Sequence, residues 1–225
     1  MEHAKLIAEK IACAASESIP EIVYCSPFLR TTHTASILAE RLGKDTPSLC
    51  VEEGLYEWLT PSLLVTPDGV RTKPRTVEQL QAIFPFTIDT TYQSYNPVLE
   101  SITENTSGED FTSPFFPESE ETLLKRCATT LKGILNASQG KNIAIVSHAP
   151  CDQALAFAME TDASSPSESK LVPWPLGGIT MFSRELIETD PDHGVWKMEI
   201  YGDTCHMPGI YKCGIKEWSL PCFTK

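Results

Sequence analysis

The fold of this chain is decided near its start by the stretch Ile22-Val23-Tyr24-Cys25-Ser26-Pro27-Phe28-Leu29-Arg30. The apolar residues at 22–24 predict a buried strand. Ser26-Pro27 ends it, because proline cannot continue a sheet ladder but suits the first turn of a helix. The residues from there to Leu42 have helical periodicity, so Arg30 is expected in the first turn of a helix, just past the carboxyl end of a strand. A guanidinium beside backbone N–H groups, at the positive end of a helix dipole, is a phosphate-binding arrangement.

A second buried strand is predicted in the stretch Asn142-Ile143-Ala144-Ile145-Val146-Ser147-His148-Ala149-Pro150, and it runs into His148 at its carboxyl end. Open parallel sheets bind ligands outside the carboxyl ends of their strands. Taken alone, Arg30 also fits a solvated helix face, and His148 also fits a structural histidine. Together, the two strand ends predict one anion-binding site.

These motifs resemble the histidine phosphatase superfamily, which has the phosphoglycerate-mutase-like fold. Residues 26–30, followed by Thr34-Ala35, look like the second phosphate-binding motif of that family, and Ser147-His148-Ala149 looks like its late catalytic histidine. Residues 51–58 and 89–92 are similar to one branch, which contains the suppressor-of-T-cell-receptor-signalling phosphatases and the insect steroid-phosphate phosphatases. The resemblance covers residues 3 to 200, approximately.

The resemblance implies a phosphatase that acts on a phosphomonoester through a phosphohistidine, with neither a metal nor another cofactor. It implies that Arg30 and Ala149 bind the phosphate and that His148 is a catalytic donor across the phosphoryl group. Glu57 matches the proton donor of the branch, and the aromatic residues on either side of it are expected to raise its pKa. A solvated loop carboxylate is the alternative for Glu57, and the competing carboxylates are Glu52 and Glu53.

One motif of the family is missing. Its members carry Arg-His-Gly at the end of their first strand, and that histidine becomes phosphorylated, but this sequence has no Arg-His-Gly. Met1–Ala15 is predicted to form the helix that follows the missing strand, so the chain is expected to start late. The explanations are an incomplete gene model, which we favour, a truncated isoform, or a rearranged sheet. The five histidines are His3, His33, His148, His193 and His206.

As written, the chain is therefore expected to lack turnover, and two classes of function stay open. The first is a phosphatase domain without its nucleophile segment. The second is a pseudophosphatase that uses Arg30 and His148 to bind a phosphorylated ligand. A two-domain scaffold with no phosphate site is a third alternative. His33 lies one helical turn after Arg30, but it is expected to point into a packed layer rather than to replace the nucleophile.

Short apolar strands alternate with helices, which implies a three-layer α/β sandwich with a mostly parallel sheet. We predict a single domain over residues 1–225. Residues 57–118 are rich in proline and are interpreted as a cap over the strand ends, with a short helix at 77–84; a linker between two domains is the alternative. The tail at 203–225 shows no clear period. The other predicted elements are helices at about 28–42, 119–136 and 151–160 and strands at about 21–25, 49–51, 142–147, 178–183 and 195–201.

The composition indicates a globular protein, with 41% hydrophobic residues and a net charge of −12 over 225 residues. That charge argues against nucleic acid or an anionic membrane as partner. No signal peptide or long apolar segment occurs, so a cytoplasmic location is expected. The expected partner is a phosphorylated small molecule or a phosphoprotein, and a homodimer stays open. The substrate itself, whether phosphotyrosine, a steroid phosphate or a metabolite, is not indicated.

Cysteine usage does not predict disulfides or zinc. The chain has eight cysteines, and those in predicted helices and strands are expected to pack as small hydrophobes. The tail lacks a C-x-x-C pair, so no metal site is predicted there. The first group is Cys13, Cys25, Cys50, Cys127 and Cys151, and the tail residues considered for zinc are Cys205, His206, Cys213 and Cys222.

Overall fold

The computed structural model describes residues 2–13, 19–43, 48–64, 74–84, 88–96, 103–104, 111–112, 117–161, 174–184, 196–207 and 217–223. The helices are α1 (Glu2–Ala12), α2 (Leu29–Leu42), α3 (Pro61–Leu64), α4 (Val77–Ile83), α5 (Glu120–Ala137) and α6 (Ala149–Thr161). The strands are β1 (Ile22–Cys25), β2 (Ser48–Val51), β3 (Thr103–Glu104), β4 (Phe111–Thr112), β5 (Ile143–Val146), β6 (Trp174–Pro175), β7 (Ile179–Ser183), β8 (Lys197–Asp203) and β9 (Glu217–Trp218).

The central sheet consists of parallel strands in the order β2-β1-β5. Beyond the strands, the N–H of Ser26 donates to the carbonyl of Val146 at 3.1 Å, and the N–H of Glu52 donates to the carbonyl of Cys25 at 2.9 Å. Because the strands run in one direction, the segments that leave their carboxyl ends start side by side. These segments carry the candidate site.

Helices cover both faces of the sheet. Successive side chains of a strand point to opposite faces, so Val23 and Cys25 pack against α1 and α2, while Tyr24 packs against α5 and α6. The three-layer α/β sandwich predicted from the sequence is therefore confirmed. All four side chains of the outer strand β5 are only half-buried, whereas Val23, Tyr24 and Cys25 of β1 are buried.

Helix α6 and strands β7 and β8 differ in detail from the prediction. Helix α6 begins at Ala149 rather than at residue 151, because Pro150 can occupy the first helical turn, where its missing N–H needs no partner. Strands β7 and β8 are found near the predicted places, but they form an antiparallel pair apart from the parallel sheet. Helix α1 lies within the predicted Met1–Ala15, whose first residue and last two residues are outside the described part.

The predicted cap is described only in pieces. The short helix predicted at 77–84 is α4, and its N-terminus has a capping box between Thr76 and Gln79. Residue Ile88 forms a parallel bridge with Leu49 of the central sheet. These contacts attach part of the cap to the sheet.

The tail contributes to the core, which its sequence did not indicate. Leu220 is fully buried, and its N–H donates to Oε1 of Gln153 at 2.7 Å. The N–H of Cys222 donates to Oε1 of Glu120 at 3.0 Å. The end of the described chain is thereby joined to α5 and α6.

The described cysteines are free thiols. Four of the five that were expected to pack in the core are buried, namely Cys25, Cys50, Cys127 and Cys151. Cys13 is exposed because α1 ends one residue before it. No helix in the described ranges combines the length and the apolar character needed to cross a bilayer.

Candidate active site

Three predicted site residues meet at the carboxyl edge of the sheet. Arg30 lies in the first turn of α2, His148 directly precedes α6, and Glu57 follows a 3-10 turn after β2. Nη2 of Arg30 is 2.9 Å from Oε2 of Glu57 and 2.9 Å from Nδ1 of His148. The same Glu57 oxygen is 3.2 Å from Nδ1 of His148. The structure therefore brings the cation, the carboxylate and the imidazole into one contact.

The strand-to-helix turn at residues 26–28 holds the imidazole of His148. Oγ of Ser26 is 2.8 Å from Nε2 of His148 and accepts a hydrogen bond from the N–H of Phe28 at 3.4 Å. The Phe28 ring lies edge-to-face with the imidazole, with the centroids 5.1 Å apart, and 4.8 Å from the guanidinium carbon of Arg30. His148 is thus fixed at both ring nitrogens and against an aromatic ring.

Ser26 is a site residue that sequence reasoning did not assign a role. Its signal was its place in the strand-to-helix motif, directly before Pro27. Its carbonyl also accepts hydrogen bonds from the hydroxyls of Thr31 and Thr32, both at 3.1 Å. These bonds join the turn to the start of α2 and so fix the position of Arg30.

Ala149 lies beside the three-residue contact as the first residue of α6. The first N–H groups of a helix have no acceptor within it, so an anion can bind there. Among the described residues, no group of three His, Cys, Asp or Glu side chains is arranged to hold a metal ion.

The pKa values of Glu57 and His148 both lie below their ordinary values. Burial acts to raise the pKa of Glu57, but His148, Arg30 and the N–H of Trp58, which donates to Oε1 at 2.9 Å, together lower it. Burial lowers the pKa of His148, and Arg30 adds to this effect against the attraction of Glu57. The expectation that aromatic neighbours raise the pKa of Glu57 is wrong, since its polar contacts outweigh the desolvation.

The competing carboxylate Glu52 has a structural role. It is fully buried, and it accepts hydrogen bonds from the N–H of Gly54 at 2.8 Å, the hydroxyl of Ser94 at 2.6 Å and the N–H of Tyr95 at 2.9 Å. The hydroxyl of Tyr92 donates to it as well. Glu52 is therefore committed to holding residues 92–95 against the sheet.

For the other described histidines, the contacts found are with groups other than Arg30. His33 stacks on Phe84 with the ring centroids 5.9 Å apart, which places it in a packed layer as expected. His206 contacts the carbonyl of Gly177 at 3.1 Å, and His3 lies on α1. His193 is outside the described residues. Within the part of the chain that the structure describes, His148 is the histidine that faces Arg30.

The chain is similar in sequence to known proteins of human and mouse. The human ubiquitin-associated and SH3 domain-containing protein B is 29% identical to it over 179 residues, which are 75% of this chain and 23% of that protein. The mouse protein of the same name matches equally. The chain therefore spans about a quarter of the length of these relatives. No family model matches the sequence.

Two solved structures share the fold predicted from the sequence. The ecdysone phosphate phosphatase of Bombix mori, in complex with tungstate, superposes with a TM-score of 0.57 at 19% identity, over 75% of this chain and 57% of that one. The phosphoserine phosphatase of Entamoeba histolytica, in complex with 3-phosphoglyceric acid, superposes with a TM-score of 0.50 at 20% identity, over 92% of this chain and 83% of that one.

Proposed function

We propose that the domain binds the phosphoryl group of a phosphomonoester for phosphoryl transfer. The proposal is supported by the phosphoglycerate-mutase-like fold, which the chain shares with the solved phosphatases, and by the geometry of its site. One observation carries the proposal. The guanidinium of Arg30, whose side chain is 47% exposed, lies at the carboxyl edge of a parallel sheet within 2.9 Å of the buried His148. A ligand can therefore approach Arg30 from solvent, and it can reach the buried imidazole by taking the place of Glu57 at Nδ1.

Arg30 and His148 have complementary parts in holding the phosphoryl oxygens. A guanidinium can hold two oxygens at once through parallel N–H donors. When Oγ–H of Ser26 donates to Nε2 of His148, Nδ1 carries the ring proton and can donate it to a third oxygen. Nη2 of Arg30, which is itself a donor 2.9 Å from Nδ1, then turns to the oxygens of the ligand. The two side chains thus supply donors where negative charge collects in the transition state.

Glu57 fits the role of proton donor once an anion is bound. Without one, the contact with Arg30 helps to keep the carboxyl group ionised. A phosphoryl group that takes over Arg30 removes this partner and brings a second negative charge close to the carboxylate. Both effects raise the pKa of Glu57 toward the protonated form, which can then protonate the leaving oxygen.

Hydrolysis through a phosphohistidine needs a second histidine beside Arg30, and none of the described residues supplies it. This observation favours a second candidate function, a pseudophosphatase that binds a phosphorylated small molecule or a phosphoprotein without turnover. Ligand binding is common to both candidates, so it is tested first and turnover second.

The binding test is calorimetric titration with tungstate, an oxyanion of the same shape as phosphate. Arg30→Ala is expected to weaken binding about 10- to 150-fold, since hydrogen bonds to charged groups are worth about 1.5–3 kcal/mol. Arg41→Ala is the control, because Arg41 lies on the same helix in an exposed ion pair with Glu9. Tungstate binding that is absent, or equal in the two variants, would refute the proposal.

The turnover test is hydrolysis of p-nitrophenyl phosphate by the same protein. Hydrolysis that His148→Ala abolishes would support the phosphatase. Tungstate binding through Arg30 without hydrolysis would support the pseudophosphatase.

A further inference from the structure

We infer that Arg126, paired with Glu118, is a positioning residue that fixes the backbone of residues 54–59 and thereby holds Glu57 against Arg30. The inference rests on the proposed function, since Glu57 contributes only if Arg30 binds a phosphoryl group. In this inference Arg126 and Glu118 do not contact the ligand themselves but act through Glu57.

Arg126 projects from α5 and is buried, with a side chain that is 5% exposed. Its Nη1 donates to the carbonyl of Gly54 at 2.8 Å and to the carbonyl of Tyr56 at 3.0 Å. Its guanidinium carbon lies 3.7 Å from the centre of the Tyr56 ring. One side chain therefore fixes both the backbone and the aromatic ring of the residue before Glu57.

Glu118 fixes the residues on the other side of Glu57. Its Oε2 accepts a hydrogen bond from the N–H of Leu59 at 3.2 Å, and its own N–H donates to the carbonyl of Leu59 at 2.9 Å. Its carbonyl accepts a hydrogen bond from the indole of Trp58 at 2.9 Å. The segment is thus held immediately before and immediately after Glu57.

The pair itself is rigid. Nε and Nη2 of Arg126 donate to the two carboxylate oxygens of Glu118 at 2.8 and 2.9 Å. The carboxylate is fully buried, so solvent does not compete for it. The planar guanidinium makes four hydrogen bonds at once: Nε and Nη2 donate to the carboxylate, and Nη1 donates to two backbone carbonyls. The single ammonium group of a lysine cannot reproduce this arrangement.

Two further bonds join the same segment to the strand end that carries the imidazole. The hydroxyl of Ser147 donates to the carbonyl of Leu55 at 2.8 Å, and the thiol of Cys151 donates to the carbonyl of Tyr56 at 2.9 Å. The side chain of Glu57 is the part of this segment that reaches Arg30. The other hydrogen bonds of this segment are made by its backbone or by the side chains next to Glu57. They hold the segment in place and do not face a ligand.

The test is a double-mutant cycle between Arg126→Lys and Glu57→Gln, read by tungstate affinity. The negative charge of Glu57 lies next to Arg30, so this carboxylate competes with an oxyanion for the guanidinium. Glu57→Gln is therefore expected to tighten tungstate binding about tenfold. If Arg126 holds Glu57 in place, Arg126→Lys also tightens binding in the wild-type background and changes it less than about twofold in the Glu57→Gln background. Lysine keeps the charge of Arg126, so only the support is removed.

A merely structural role for Arg126 gives a different result. Loss of general stability would weaken tungstate binding by the same factor in both backgrounds, and either that outcome or no change at all would overturn the inference. Arg41→Lys, in an exposed ion pair, is the matched control. If Arg126→Lys does not fold, Glu118→Gln is the milder variant, for which the same cycle with Glu57→Gln applies.

A second readout separates failure of this inference from failure of the proposed function. If the wild-type protein does not bind tungstate, the proposed function fails, and the support is then read from the imidazole of His148 by NMR titration. Glu57 acts to raise the pKa of His148, while Arg30 and Arg126 act to lower it. Arg126→Lys should lower the pKa of His148 as Glu57→Gln does, and an unchanged pKa would overturn the inference.

Discussion

Replacing Glu57 with glutamine is expected to tighten oxyanion binding at Arg30. The two side chains have nearly the same shape, but the variant lacks the negative charge that lies 2.9 Å from Nη2 of Arg30. In the wild-type protein an incoming anion must displace this carboxylate, force it to take up a proton, or bind next to it. Each of these costs free energy that the glutamine variant does not spend.

The size of the effect follows from the geometry. Two anions that accept hydrogen bonds from one guanidinium lie about 5 Å apart, and at an effective dielectric constant of about 20 they repel by about 3 kcal/mol. The side chain of Arg30 is 47% exposed, so solvent screening reduces this value by about half or more. The remaining repulsion, about 1.4 kcal/mol, corresponds to about tenfold in the dissociation constant.

Calorimetric titration with tungstate measures this change directly. Glu9→Gln is the control, since it removes an equal charge from an exposed ion pair with Arg41. The control should bind as the wild type does. Equal or weaker tungstate binding by Glu57→Gln would show that Glu57 does not compete for Arg30, and it would remove the electrostatic basis of the proposed site.

Three further predictions concern stability. Leu220→Ala should lower the free energy of unfolding in urea by about 2–5 kcal/mol, whereas Leu176→Ala, at a side chain that is 44% exposed, should change it by less than about 0.5; equal losses would contradict the buried tail. Burial holds the pKa of His148 below its ordinary 6.5, so the contribution of the neutral imidazole to the free energy of unfolding is complete above that pH and is lost as the pH falls toward the folded-state pKa. His148→Asn should therefore reduce the dependence of the unfolding free energy on pH, measured by urea titrations between about pH 5 and 7. An unchanged dependence would contradict a neutral buried imidazole. Gly54→Ala should destabilise by about 1–3 kcal/mol, because its Cβ would lie 2.1 Å from Oγ1 of Thr130, and Thr130→Ala should restore part of the loss in thermal unfolding; no recovery would show that the clash lies elsewhere.

The central fold could be predicted because its signals are local. The strand, the Ser26-Pro27 turn and the helix that begins near Arg30 follow one another within a few residues, and the same holds for the strand that ends before His148. Parallel strand ends then imply that Arg30 and His148 lie at one edge. This step needs no knowledge of side-chain packing.

The rest of the site depends on contacts between residues far apart in the chain. Burial acts to raise the pKa of Glu57, and His148 and Arg30 act to lower it. His148 lies at the end of another strand, and Arg30 lies 27 residues earlier in the chain. Arg126 reaches Tyr56 across 70 residues. The flanking aromatic residues were visible in the sequence, but the contacts with His148, Arg30 and the N–H of Trp58 that together outweigh desolvation were not.

The buried tail was missed for a related reason. Leu220 is a single apolar residue, and a single residue has no period to reveal a helix or a strand. In the structure Leu220 lies in the hydrophobic core, and its N–H donates to the side-chain amide of Gln153, which is fully buried on α6. The burial of Leu220 depends on residues far away in the chain, so the sequence around Leu220 does not reveal it.

The contact between Glu57 and Arg30 also acts as a filter for ligands. A carboxylate on the same chain is present at the cation at a high effective concentration, on the order of millimolar or above. A small anion that makes no more contacts than this tethered carboxylate gains nothing over it, so chloride or acetate should leave it in place. A phosphoryl group offers several oxygens, which can engage the guanidinium and the imidazole together. Selectivity for polydentate anions would then come from a group that the ligand has to displace.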